Sequence, residues 1–178
     1  MSAPDLVWSQ KVLAGEVSEA GRHFDLAPDE QTRAAIAKAI GVRALPRLVA
    51  TFDVTPRGRD GLHVEGHVSA TVGQNCVVTL DPLESEVEED VNVAFASQAE
   101  KAENKVTDFD TESRDPPEPL EDGAVDLGAI AIEFLTLGID FYPRKPDAVF
   151  EPTRVEDPSA HPFAALSALK KGKNEENR

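Results

Sequence analysis

Cysteine is almost absent from this sequence: Cys76 is the only one among 178 residues. An internal disulfide needs two cysteines and a cysteine-rich zinc site needs several, so this chain can form neither. A lone thiol also fits a reducing compartment. We interpret Cys76 as a small buried side chain, with a reactive thiol as the alternative.

Long uncharged stretches are missing as well. No 18 consecutive residues are free of charge, as a membrane-spanning helix would require. The first residues, Met1 to Asp5, lack the charged and apolar regions of a secretory signal. We therefore expect a cytoplasmic protein that is not exported and has no membrane partner.

Motifs that would indicate catalysis are also lacking. The glycines between positions 58 and 66 have neither the spacing nor the context of a phosphate-binding loop, and no Gly-x-Ser-x-Gly sequence occurs. His63, Glu65 and His67 share one face of a predicted strand, but the two histidines lie about 13 Å apart, too far to bind one metal ion. We expect no enzyme activity, no cofactor and no metal; a metal-dependent enzyme using these three residues is the alternative.

Positive charge is scarce, since 18 Lys and Arg face 33 Asp and Glu, a net charge of −15. The imbalance is local. Residues 81–126 carry +3 and −16, a net of −13, whereas residues 1–80 and 127–178 are each at −1. The two nearly neutral parts could meet a phosphate backbone, so the net charge does not exclude RNA as a partner.

Two segments carry helical signals. Pro28 near the start and Gly41 at the end predict a helix over residues 28–40. Asp126 precedes an apolar segment that ends at Gly138, which predicts a second helix over 126–138. Because only Glu133 and one threonine interrupt this apolar segment, we expect it to be buried on most sides.

Strand patterns fill most of the remaining chain before residue 97. Apolar and polar residues alternate over 45–54 and 62–72, and turn residues between them predict a hairpin. After a turn at 73–75, further strands are predicted at 76–80 and 87–95, and weaker signals mark 8–17, 22–26 and 148–150. The predicted fold is α+β: a curved antiparallel sheet, or a partly open barrel, covered by the two helices.

Residues 97–123 combine low hydrophobicity with many carboxylates and three prolines, which predicts an acidic mobile segment. We interpret it as a solubilising linker; docking on a basic protein or mimicry of a phosphate chain is the alternative. A short amphipathic helix is predicted over 162–170, with Phe163, Leu166 and Leu169 on its apolar face. We expect one domain over 1–155, followed by this helix and a polar tail over 156–178.

One segment of this acidic chain has a positive net charge. From Arg33 to Arg59 the net charge is +5 over 27 residues, with Asp53 as the single carboxylate. A helix, a strand and a turn could bring these cations to one rim, unless they are scattered over the surface. The predicted basic rim consists of Arg33, Lys38, Arg43, Arg47, Arg57, Arg59, Arg144 and Lys145. Aromatic side chains are sparse near it, which argues against a dedicated reader of single strands.

Several motifs resemble one known family. Residues 74–82 (QNCVVTLDP), the strand at 87–95 and the segment from Val125 to Leu137 resemble, in order and spacing, the YceD family of large ribosomal RNA subunit accumulation proteins. Residues 140–146 and 162–166 are similar to its alphaproteobacterial branch, and the resemblance covers about residues 20 to 170. The motif residues are Cys76, Leu80, Pro82, Asp126, Leu127, Glu133, Leu137 and Pro143.

Many members of that family carry further cysteines, which suggests a metal site in them, but the corresponding positions here hold none, so we do not transfer that site. The resemblance implies a non-enzymatic ribosome biogenesis factor that supports accumulation of 23S rRNA, with genes often beside one for a large-subunit ribosomal protein. We expect it to bind ribosomal RNA, a large-subunit ribosomal protein or both, and no DNA. A module that binds only a protein, through the acidic segment and the C-terminal helix, is the alternative.

Overall fold

The computed structural model describes residues 7–58, 60–96 and 117–150. Arg59, most of the predicted acidic segment and the predicted helix with Phe163, Leu166 and Leu169 lie outside the described residues. The elements in chain order are β1 (Lys11–Leu13), β2 (Arg22–Leu26), α1 (Glu30–Ile40), β3 (Ala44–Arg57), β4 (Gly61–Asn75), β5 (Pro82–Ala96), β6 (Glu118–Pro119), β7 (Ala124–Asp126) and α2 (Leu127–Gly138).

The strands form two sheets. The larger has the order β2-β3-β4-β5-β6, in which β2 to β5 are antiparallel and the short β6 is parallel to the end of β5. β1 and β7 pair separately as an antiparallel ribbon. The α+β prediction is confirmed; within the described residues the larger sheet is open and mixed, not a closed barrel.

One face of the larger sheet is buried by both helices. Phe52 on β3 is fully buried opposite Gly66 on β4, where a Cβ atom would clash with the Thr51 carbonyl oxygen and the Phe52 ring. The alternation of inward apolar and outward polar residues explains why only this face is covered. The buried residues that the helices add to this core are Ile36 and Ala37 from α1 and Leu127, Ile130, Ala131 and Leu135 from α2.

Both predicted helices are confirmed, and the predicted caps Gly41 and Asp126 are found, whereas Gly138 is the last residue of α2 and Ile139 follows it in an extended conformation. The Asp29 carboxylate accepts a hydrogen bond from the Thr32 N–H at 2.8 Å, and Gly41 ends α1 in the left-handed region at φ +77°. α1 therefore begins after Asp29, two residues later than predicted. Among the described helices, neither has the length and apolarity needed to cross a membrane.

Asp126 does more than cap α2. Its Oδ1 atom accepts hydrogen bonds from the N–H groups of Gly128 and Ala129, at 3.0 and 3.2 Å, and from the N–H of Gln10 at 2.8 Å. Its Oδ2 atom accepts from the Ser9 hydroxyl. One carboxylate thus starts the helix and fastens the N-terminal segment to it.

Two strand predictions are wrong. β4 continues through the predicted turn at 73–75 to Asn75, and residues 76–81 form the turn instead of a strand. There the Leu80 N–H bonds to the Cys76 carbonyl at 2.9 Å and the Cys76 N–H bonds to the Asp81 carbonyl at 2.8 Å. These bonds close a tight loop that an extended chain could not form. The predicted strand at 148–150 is also absent from the described residues, and Val149 and Phe150 are exposed there.

We predict that Asp126→Ala lowers the free energy of unfolding by about 1–2 kcal/mol, because the α2 cap and the link to Gln10 are lost together. Asp126→Asn is the matched control, since its amide oxygen can still accept these hydrogen bonds. Urea unfolding followed by circular dichroism measures both variants. Equal stability of Asp126→Ala and the wild-type protein would contradict the role assigned to this carboxylate.

Candidate nucleic-acid interface

Three of the predicted cations line one groove beside α1. Arg33 and Lys38 lie on the helix, and Arg43 follows it because the chain reverses at Gly41. The groove has a volume of about 580 Å³, and Glu30 is the one carboxylate among the described residues that line it. We call Arg33, Lys38 and Arg43 the basic groove.

Arg33 is held in place by a neutral group, and the nearby Asp29 carboxylate interacts with its charge without forming a salt bridge to it among the described residues. One of its terminal nitrogens, Nη1, donates a hydrogen bond to the Pro28 carbonyl at 2.8 Å, and the buried Nε atom has no hydrogen-bond partner within the described part of the chain. A neutral carbonyl orients the guanidinium but does not cancel its positive charge. The groove therefore keeps a positive potential that favours an anion.

Arg43 connects the groove to the end of the large sheet. Its N–H donates to the Gly73 carbonyl at 2.9 Å, and its Nη2 atom lies close above Gly73, at 3.4 Å from the position a Cβ atom would take. Gln74, the residue after Gly73, donates a side-chain N–H to the Asp140 carbonyl at 2.7 Å. The basic groove and the segment after α2 therefore lie at the same end of the sheet.

Residues 76–81 and 140–145 form two turns that are bonded to each other, here called the paired turns. The Val77 N–H donates to the carbonyl of the buried Pro143 at 3.0 Å. Lys145 Nζ lies 3.1 Å from an Asp81 carboxylate oxygen, and this contact lowers the pKa of Asp81. Arg144 and Lys145 are thereby fixed at the end of the sheet where the basic groove lies.

Cys76 lies inside the paired turns and is fully buried, as expected. Its Sγ atom accepts hydrogen bonds from the N–H groups of Thr79 and Lys145, each at 3.5 Å. Hydrogen bonding from Thr79, helped by the Lys145 N–H, lowers the pKa of Cys76 to about 6 although burial opposes the charged form. The sulfur thus joins one turn to the other.

Two other predicted cations, Arg47 and Arg57, lie elsewhere, so the described residues of the predicted basic rim do not form one surface. Arg47 points to the exposed face of the sheet and donates to the Ser69 hydroxyl at 2.6 Å. Arg57 lies at the opposite end of β3, about 40 Å from Ala44 at about 3.3 Å per residue, and shares a cavity of about 790 Å³ with Glu65 and Glu118. The charge pattern could not show this separation, because it depends on where β3 begins and ends.

The exposed face of β4 and β5 carries alternating histidines, hydroxyls and carboxylates. His67 Nδ1 lies 2.9 Å from Asp90 Oδ1, and its Nε2 contacts Glu88. These hydrogen bonds, first to Asp90 and then to Glu88, raise the pKa of His67, and the same contact lowers the pKa of Glu88. His63 takes a different partner, Asn92, at 3.0 Å. In the described ranges, no group of three or more His, Cys, Asp or Glu is arranged to hold a metal ion.

The family-motif residues divide into buried and exposed sets. Cys76, Leu127 and Pro143 are buried and hold the fold, Asp126 caps α2, and Pro82 begins β5. The exposed motif residues are Leu80, Pro82, Glu133 and Leu137. Glu133 faces solvent, so its carboxylate is not buried among the apolar residues of α2.

Sequence reasoning missed the exposure of Phe141 and Tyr142, which begin the second of the paired turns. Their exposed fractions are 65 % and 75 %. The flanking Pro143 and Pro146 signal a surface turn and could have indicated this, whereas aromatic residues alone suggest burial.

A protein-family model described as "Large ribosomal RNA subunit accumulation protein YceD" matches residues 64–170, more than half of the chain. The match includes the paired turns, β5 and all of α2. The protein therefore belongs to the YceD family, whose description connects it with the RNA of the large ribosomal subunit. No curated protein and no solved structure matches the chain.

We predict that His67 makes the stability of the sheet depend on pH. A raised pKa in the folded state means that protonated His67 stabilises the fold below a pH of about 6.5 and that this contribution is lost as the pH rises through the folded pKa. His67→Gln should therefore reduce the urea midpoint, relative to wild type, more at about pH 5.5 than at about pH 8.5.

The control variant is Glu84→Gln, which removes a carboxylate from the same exposed face of β5 at a position opposite Gly73. It should shift the urea midpoint by the same amount at both pH values. A His67→Gln effect that is equally independent of pH would show that the contacts with Asp90 and Glu88 do not stabilise the protonated histidine.

Proposed function

We propose that this protein is a non-enzymatic ribosome biogenesis factor that supports accumulation of 23S rRNA and contacts ribosomal RNA through the basic groove. The observation that carries the proposal is the convergence of Arg33, Lys38 and Arg43 on one groove with a single carboxylate, in a chain of net charge −15. Membership of the YceD family supplies the biological context. Cations that outnumber the carboxylates around them attract a phosphate backbone and release its counterions.

Acidic groups at the far end of the sheet support a defined orientation on RNA. A cleft of about 340 Å³ lies between β6, β7 and α2, where β6 pairs with Phe95. Its described lining includes Glu118, Glu121, Asp122, Asp126 and Glu133, with Lys11 as the one cation. RNA would be repelled from this acidic cleft and attracted to the opposite end, so charge alone would align the protein.

The acidic cleft also favours a second candidate function, in which the protein holds a basic large-subunit ribosomal protein. Five carboxylates around one cavity complement a lysine- and arginine-rich segment. Both partners could be held at once, because the basic groove and the cleft lie at opposite ends of β3 to β5. With RNA in the basic groove and a ribosomal protein at the acidic cleft, the protein would bring that ribosomal protein to its RNA.

We predict that Arg43→Glu weakens binding to 23S rRNA fragments and reduces the slope of log affinity against log salt concentration by about 0.7 to 0.9, the value of about one phosphate contact. Arg57→Glu is the matched control, since it makes the same charge change on an exposed residue at the far end of β3. Fluorescence anisotropy at several salt concentrations measures both. Equal effects of the two variants would show that RNA binding depends on the net charge of the protein and not on the basic groove.

In cells, deletion of the gene should lower the ratio of 23S to 16S rRNA. Expression of wild-type protein or Arg57→Glu should restore the ratio, whereas Arg43→Glu should not. Quantification of both rRNAs from total RNA is the measurement, with immunoblots to show equal amounts of the variants. An unchanged ratio in the deletion strain would refute the proposed function.

A further inference from the structure

Phe141 and Tyr142 form an aromatic pair on the surface. They are 65 % and 75 % exposed, and Leu80 of the facing turn is 74 % exposed. Large apolar side chains left exposed on neighbouring residues can mark a binding site. The described structure covers neither ring, so the pair is available to a partner.

The backbone around these rings is firmly held. The Tyr142 N–H donates to the Asp140 carboxylate at 2.8 Å, and the Asp140 carbonyl accepts from Gln74 at 2.7 Å. On the other side, the Pro143 ring is buried and its carbonyl accepts the Val77 N–H. Because both flanks are fixed, binding a partner would cost little ordering entropy at this position.

Positive charge lies directly beside the rings. Arg144 is exposed and takes part in no ion pair within the described part of the chain. The nearby Asp81 carboxylate is paired with Lys145, whereas the Asp140 carboxylate accepts the Tyr142 N–H and keeps its negative charge. Arg144 is therefore the cation beside the rings that is open to an anion, and a partner with both flat apolar faces and negative charge suits the rings and this guanidinium together.

We propose that Phe141 and Tyr142 stack against unpaired bases of RNA, while Arg144 contacts a neighbouring phosphate. Every base offers a flat face to an aromatic ring, but paired bases hide these faces inside the duplex, so the site would select single-stranded segments. This inference rests on the proposed function. It adds a base-stacking surface to the basic groove, to which it is linked through Arg43, Gly73 and Gln74.

Tyr142 is the only tyrosine in the chain, which permits a direct test on the full-length protein. Fluorotyrosine incorporated during expression gives one fluorine NMR signal from this side chain. Addition of a single-stranded oligonucleotide from 23S rRNA should shift that signal, whereas its duplex with the complementary strand should leave it in place. A signal unchanged by the bound single strand would overturn the proposal.

Affinity measurements give a second test. Tyr142→Ala should weaken binding of the single strand about 5- to 150-fold without changing the salt slope, since stacking releases no counterions. Tyr142→Phe keeps the ring and should bind like wild type. Arg144→Ala should reduce the salt slope for the same oligonucleotide.

The outcomes separate this inference from the proposed function. If Arg43→Glu weakens RNA binding and Tyr142→Ala does not, the stacking surface is refuted and the basic groove stands. If the wild-type protein binds neither the single strand nor the duplex, the stacking surface and the proposed function both fail. If Tyr142→Ala weakens duplex and single strand equally, or loses only a protein partner, stacking on unpaired bases is likewise overturned.

Discussion

Backbone pairing of β4 with both of its neighbours sets the positions of the turns, helices and charges around the sheet. β4 pairs with β5 from Leu62 to Asn75 without a break, and with β3 from Gly61 to Gly73 with one irregularity. Strands this long give the sheet two ends about 40 Å apart, at about 3.3 Å per residue. Since the buried Phe52 lies against Gly66, a slip of one residue would bring side chains into that space and turn the apolar face outward.

The two ends carry different charges because different connections meet there. At one end, the return of the chain after α1 places Arg43 beside Gly73, and the paired turns add Arg144 and Lys145. At the other, β6 brings Glu118 against the end of β5, and the acidic cleft follows. The net charge of the chain describes neither end, and partners of opposite charge could bind at the same time.

Local signals predicted much of the fold. Pro28 and Gly41 marked the first helix and Asp126 the second, because a helix end depends on residues close together in the chain. The strand predicted at 22–26 is confirmed as β2. The predictions failed where contacts between residues distant in the chain determine the backbone conformation. Residues 76–80 have a strand-like composition, but hydrogen bonds within the loop and with Pro143 and Lys145 hold them in a turn.

The candidate site was predictable only in part for the same reason. The charge pattern included Arg33, Lys38 and Arg43 among eight predicted cations, whereas the separation of Arg57 from these three requires the strand register. Phe141 and Tyr142 could not be recognised as exposed from their own residue types. Their position follows from the burial of Pro143 and from Asp140, which is held by Gln74.

We propose that the end of the sheet with the basic groove and the paired turns faces RNA. Photo-crosslinking of the full-length protein to large-subunit rRNA, followed by mass spectrometry of the crosslinked peptides, shows which end of the sheet lies against the RNA. Crosslinks are expected on the peptides that contain residues 33–43 and 141–145. Crosslinks concentrated instead on the β3–β4 hairpin around Arg57, or on the acidic cleft, would contradict it.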